Sequence, residues 1–138
     1  MILESKSTLV TKREIIKFAK EFDPAFFHLD EKAAKKSILG GLSASGFHSL
    51  SLAMRMICDA WPIDEGFPSI RQIEEVNWLA PVRPGDQLTG HLSLTDGSCE
   101  AAGTFEFSQK TINQHGMTVM RMRGSLSISP ATSGLANG

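Results

Sequence analysis

The sequence is short of cysteine, has no surplus of charge and contains no long apolar run. Each shortage removes a class of protein. Cys58 and Cys99 are its only cysteines. Two cannot staple a disulfide scaffold, and they lack the close spacing of a metal site. Fourteen basic residues face fifteen acidic ones, for a formal net charge of −1. No bulk field therefore draws the chain to phosphate backbones, and no nucleic-acid partner is expected. No run of about 18 apolar residues is present to cross a bilayer. The opening segment, Met1-Ile-Leu-Glu-Ser-Lys6, has no apolar signal core. A cytoplasmic protein with free thiols and no membrane contact is the expectation.

What is present suits one domain. A chain of 138 residues, 41% hydrophobic and 21% charged, has material for one core and not for two. Pro130 to Gly138 is rich in small residues and turn formers and has little to bury. A domain over residues 1–129 with a flexible tail over 130–138 is expected.

The first half reads as helix. Thr11 followed by Glu14 is a capping-box pattern. Ile15, Phe18, Ala19 and Phe22 then recur at helical spacing until Pro24 stops the run. Asp30 can cap a short helix from about Glu31 to Ser37, ahead of Gly40-Gly41. Between Gly46 and Trp61 the pattern changes. Phe47, Leu50, Met54, Ile57 and Trp61 form one stripe, and Leu52, Ala53, Met56 and Cys58 cover most of the rest. A helix apolar nearly all round is expected to be wrapped by other elements, with Cys58 serving as a small buried apolar residue.

The second half supplies the wrapping. Leu88, Gly90, Leu92 and Leu94 alternate with polar residues. Ala101, Gly103, Phe105 and Phe107 alternate with Ala102, Thr104, Glu106 and Ser108, and Met120, Met122, Gly124, Leu126 and Ile128 with Arg121, Arg123, Ser125 and Ser127. Period two is the mark of a strand with one buried face. Asp96-Gly97 is a hairpin signal, and Ile70 to Leu79 adds a further strand before Pro81. The fold class is α+β: a curved antiparallel meander around one central apolar helix.

Two residues stand out chemically. Asp23 precedes Pro24 at a helix end, and His28 follows five residues later, before the next helix. A carboxylate and an imidazole at the two ends of one short loop can converge on one water or proton. Spacing alone fits a turn aspartate and a structural histidine equally well. Ser45-Gly46 begins the apolar helix. Free amides there can meet developing negative charge, and a glycine lets a ligand approach; an ordinary cap and a packing residue fit as well.

Phe22-Asp-Pro24, His28-Leu-Asp30, Ala33-Ala34, Ser43-Ala-Ser-Gly46 with Phe47-His48, and Ala80-Pro-Val-Arg-Pro-Gly-Asp86 occur in this order. The set resembles the MaoC-like dehydratases, which include the (R)-specific enoyl-CoA hydratases and have the hot-dog fold. The resemblance implies that Asp23 and His28 are the catalytic dyad of an enoyl thioester hydratase or dehydratase. It implies that Ser45 and Gly46 receive the thioester oxygen. The substrate would be an acyl-CoA or acyl-carrier thioester, with no tightly bound cofactor and no metal. Such proteins pair, so a homodimer or a dimer of dimers is implied. The family often carries a polar residue two after the aspartate and a proline two before the histidine; here these are Ala25 and Phe26. Phe26 and Phe27 can line an acyl pocket or pack against the sheet, and Phe47 and His48 begin the helix beside that pocket. Arg71, Arg83, Arg121 and Arg123 can meet coenzyme A phosphates or lie on solvated faces.

Two other functions fit the same fold. An acyl-CoA thioesterase would place a carboxylate on the central helix, but no Asp or Glu occurs between Glu31 and Asp59. A non-catalytic acyl-thioester-binding subunit would keep the fold and lose the chemistry, consistent with Ala25 and Phe26.

Overall fold

The computed structural model describes residues 2–95 and 103–129. The elements are β1 (Ile2–Glu4), β2 (Thr8–Leu9), α1 (Lys12–Phe22), α2 (Glu31–Lys35), α3 (Gly46–Ala60), β3 (Phe67–Trp78), β4 (Gln87–Thr95), β5 (Thr104–Ile112) and β6 (Thr118–Ser129). Single 3₁₀ turns cover Phe26–His28 and Ile63–Glu65.

The helix starts follow from their caps. Thr11 Oγ1 accepts from the Glu14 N–H at 3.1 Å and donates to the Glu14 carboxylate at 2.7 Å. Asp30 Oδ1 accepts from the N–H groups of Lys32 and Ala33 at 3.0 and 3.1 Å, and α2 ends at Lys35, before Ser37. Ser45 caps α3 by accepting from the Phe47 N–H at 3.2 Å.

The strands form one six-stranded antiparallel sheet in the order β1-β4-β5-β6-β3, with β2 also on β4. β4, β5 and β6 are the expected meander. β3 departs from it, because it pairs with β6 at the far edge and not with β4. Its exit segment runs past the start of α3, where the Ala44 N–H donates to the Val82 carbonyl at 2.9 Å. β5 runs to Ile112, beyond the expected Phe107–Ser108 end. There the inward residues are Gln109 and Thr111, both buried and bonded to each other at 3.0 Å. The Asp96-Gly97 turn, Ala101, Cys99 and the tail beyond Ser129 lie outside the described residues.

The inner faces of β4 and β6 bury Leu88, Leu92, Leu94, Met120, Met122 and Leu126 against α3. At Gly90 a Cβ would stand 2.9 Å from Met56 Cβ, so the missing side chain sets how closely α3 approaches the sheet. A helix cradled in a curved antiparallel sheet is the hot-dog arrangement. The cradle is narrower than the sequence suggested. α3 buries the His48–Ser49, Ala53 and Met56–Ile57 side, while Phe47, Ser51, Arg55 and Cys58 form an exposed stripe. One open sheet covers one side of a helix and leaves another to solvent. Cys58 is therefore a free, exposed thiol and not a core residue.

Candidate active site

Pro24 cannot extend α1. Asp23 becomes its C-cap, donating its N–H to Ala19 O at 2.9 Å, and the chain turns at once, with Ala25 N donating to Asp23 O at 2.8 Å. The 3₁₀ turn then delivers His28 inward, and only 6% of it stays exposed. This short path brings the two side chains together: His28 Nε2 lies 3.4 Å from Asp23 Oδ2.

The other contacts of the pair fix its orientation. His28 Nδ1 is 2.6 Å from the carbonyl oxygen of Ser43. A carbonyl only accepts, so Nδ1 carries the proton and Nε2 is the nitrogen turned to Asp23. Ser45 Oγ donates to Asp23 Oδ2 at 2.7 Å while accepting from the Phe47 N–H. The first turn of α3, the carboxylate and the imidazole thus form one chain of contacts. At 3.4 Å the Asp23–His28 contact is longer than a good hydrogen bond, a spacing compatible with both groups addressing a third partner.

His28 opens onto a cavity of about 330 Å³ that also touches Ser43, Gly46, Ser49 and Trp78. Leu39, Leu79 and Val82 give it an apolar wall. The Gly46 N–H meets no acceptor among the described residues, as befits the first residue of a helix. Ser45 is placed differently from Gly46. Its hydroxyl proton is committed to Asp23, so the Ser45 side chain is not a free donor, whereas the Gly46 amide, which borders the cavity, is.

Phe26, Phe27, Phe47 and His48 do not line that cavity. Phe26 is half-exposed, and Phe27 turns into the core with its ring edge-on to His28 at 4.6 Å between centroids. Phe47 faces outward on the exposed stripe of α3. His48 stacks on Phe18 at 4.7 Å and 8°, and its buried Nδ1 has no hydrogen-bond partner among the described residues. Burial holds its pKa below the ordinary histidine value, partly offset by Glu14.

Arg83, a candidate for phosphate contact, instead donates to the carbonyls of Leu39 and Leu42. It thereby braces the loop that presents the Ser43 carbonyl to His28. Asp86, buried, holds the same turn by accepting from Arg83 N at 2.8 Å and Gln114 Nε2 at 2.9 Å. Arg123 is engaged by Glu74 and Glu75. Arg121 borders a larger hollow, about 610 Å³, on the sheet face turned away from α3 and remote from the dyad. Among the described residues no group of three or more His, Cys, Asp or Glu could hold a metal ion, and no helix is long and apolar enough to cross a membrane.

Ser43 and Trp78 escaped the sequence reading as members of the site, and Arg83 was read only as a phosphate contact or a solvated residue, not as the brace of the Ser43 loop. Ser43 acts through its backbone, which leaves no residue signature. Trp78 lies in the stretch Ile70 to Leu79, whose pattern signals only a strand.

A helix cradled by a hot-dog sheet, with an Asp/His pair at its N-terminal end, defines the class. The chain belongs to the MaoC-like family: the sequence profile described as "MaoC like domain" matches residues 2–115. It is 34% identical over 100 residues to the uncharacterised protein YdeM of Bacillus subtilis strain 168, covering 69% of this chain and 67% of that one. Its fold superposes with a TM-score of 0.79 on a MaoC-like dehydratase from Rhodospirillum rubrum, at 31% identity, over 94% of this chain and 92% of that one. It also superposes on the (R)-hydratase from A. caviae involved in PHA biosynthesis, with a TM-score of 0.75, at 17% identity, over 94% and 95% of the two chains. The last of these speaks to the fold alone.

Proposed function

We propose that this protein adds water across the double bond of a trans-2-enoyl thioester, or removes it in the reverse direction. The observation that carries the reading is the placement of Asp23 Oδ2 3.4 Å from His28 Nε2, with His28 lining a cavity that reaches the start of α3. Family membership supports the reaction class.

A water held between Asp23 and His28 loses a proton to the dyad as its oxygen bonds to the β-carbon. The carbon–carbon π bond breaks, and a proton is delivered to the α-carbon. Negative charge gathers on the thioester oxygen between these events. The Gly46 N–H, with the helix dipole behind it, is the donor suited to receive that charge. Ser45 keeps Asp23 turned toward His28. The thioester is carried by coenzyme A or a carrier protein, and no bound cofactor enters any step.

The reading extends to assembly. β3 is a twelve-residue edge strand whose Phe67, Ile73 and Trp78 are 41–49% exposed. Long apolar edges are usually covered, and a second copy of this chain is the proposed cover. The free thiol of Cys58 suits the reducing cytoplasm.

The test supplies purified protein with trans-2-enoyl-CoAs of graded length and follows the product. Formation of 3-hydroxyacyl-CoA is expected. Release of free thiol from acyl-CoA would move the protein to the hydrolases. Tight binding without either product would make it an acyl-thioester-binding subunit.

A further inference from the structure

Trp78 closes β3 and lies 32 residues from Gly46 in sequence, yet the two are in contact. The indole Nε1–H donates to the Gly46 carbonyl at 2.9 Å. A Cβ on residue 46 would stand 2.9 Å from both Cε2 and Nε1 of the indole. Only a residue without a side chain fits beneath that ring. Trp78 stays about half-exposed, so its position reflects this contact more than burial in the core. It also lines the cavity that His28 enters.

The Gly46 N–H and the Gly46 carbonyl lie in adjacent peptide planes that meet at the Gly46 α-carbon, and there is an anchor on each side of it. Ser45 anchors the helix start to Asp23, and Trp78 grips the Gly46 carbonyl from β3. With the Ser45 side chain tied to Asp23 on one side, and the carbonyl and α-carbon of Gly46 held by Trp78 on the other, the plane that carries the Gly46 N–H has little room to swing. Preorganised donors stabilise developing charge because they need not reorient during the reaction. Building on the hydratase reading, we infer that Trp78 is a positioning residue: by bonding the Gly46 carbonyl and covering its α-carbon, it aims the Gly46 amide at the thioester oxygen.

The bond and the ring can be separated. Trp78→Phe keeps an aromatic ring and removes the donor; Trp78→Ala removes both. In unliganded protein, ¹⁵N relaxation should give Gly46 a rigid order parameter, about 0.85, falling toward about 0.6 in Trp78→Phe. The rest of α3 should be unchanged. An unaltered Gly46 order parameter in both variants overturns the inference whatever the substrate proves to be. On crotonyl-CoA, Trp78→Phe should lower kcat about tenfold, a fraction of the 10²–10³ typical for losing such a donor outright, with KM within twofold. A rise in KM with kcat unchanged would make Trp78 a mere wall of the cavity and also overturns the inference. If the wild type turns over no enoyl thioester, the hydratase reading fails, and the relaxation result still decides whether Trp78 fixes the Gly46 peptide.

Discussion

The hydroxyl of Ser45 donates to Asp23 Oδ2 at 2.7 Å, so the residue that starts α3 also orients the carboxylate that ends α1. One side chain caps a helix and fixes half of the proposed dyad. Ser45→Ala should therefore do two things at once. Loss of the cap should cost about 1 kcal/mol, read as a fall of a few degrees in Tm. Loss of the donor should lower the hydration rate without a matching rise in KM. A variant with reduced Tm and full activity would show that Asp23 does not depend on Ser45.

Gly46 and Trp78 are predicted to be coupled in stability. Gly46→Ala drives a methyl into the indole and should cost about 1–3 kcal/mol as overpacking. In a Trp78→Ala background the same change should cost much less. Urea unfolding of the four proteins of the cycle measures the coupling. Additive costs would mean that the ring moves aside freely.

His48 gives the fold an acid-sensitive element. Burial against Phe18 holds its pKa below the unfolded value of about 6.5. The neutral form is favoured in the native state, so this contribution is complete above pH 6.5. It is lost as pH falls from there through the lowered native value. The unfolding midpoint should drop on acidification from pH 7 to pH 5, and His48→Leu should flatten that dependence. Parallel pH profiles for the two proteins would remove His48 as its origin.

The exposed edge of β3 should mediate self-association. Light scattering is expected to give a dimer or a multiple of it at micromolar concentration. Ile73→Lys, a charge on that edge, should shift the mass toward monomer. A monomeric wild type would contradict the proposed cover of β3.

Local chemistry was readable in the sequence, and long-range placement was not. Thr11, Asp30 and Ser45 cap helices because their side chains reach N–H groups only two or three residues away. The alternation along β4 and β6 gave their inner faces directly. Asp23 and His28 lie close because Pro24 ends α1 and only a short turn separates them. The pairing of β3 with β6 joins residues about fifty positions apart and follows from no local pattern. Gln109 and Thr111 hid the end of β5, since a satisfied polar pair inside the sheet reads as a loss of alternation. The hydrophobicity of Phe47 and Cys58 predicted burial, but solvent exposure on α3 depends on where the sheet stops. The Ser43 carbonyl and the Trp78–Gly46 contact arise only once the loop, the helix and the edge strand meet.

The most direct test of the hydratase account compares wild type with Asp23→Asn on crotonyl-CoA, following loss of the enoyl thioester absorbance. The substitution keeps the size and much of the hydrogen bonding of the side chain and removes its charge. The account predicts measurable wild-type turnover, a loss of about 10²- to 10⁴-fold in the variant, and a Tm within a few degrees of wild type. Equal rates in the two proteins, or no wild-type turnover with any enoyl-CoA from four to twelve carbons, would contradict it.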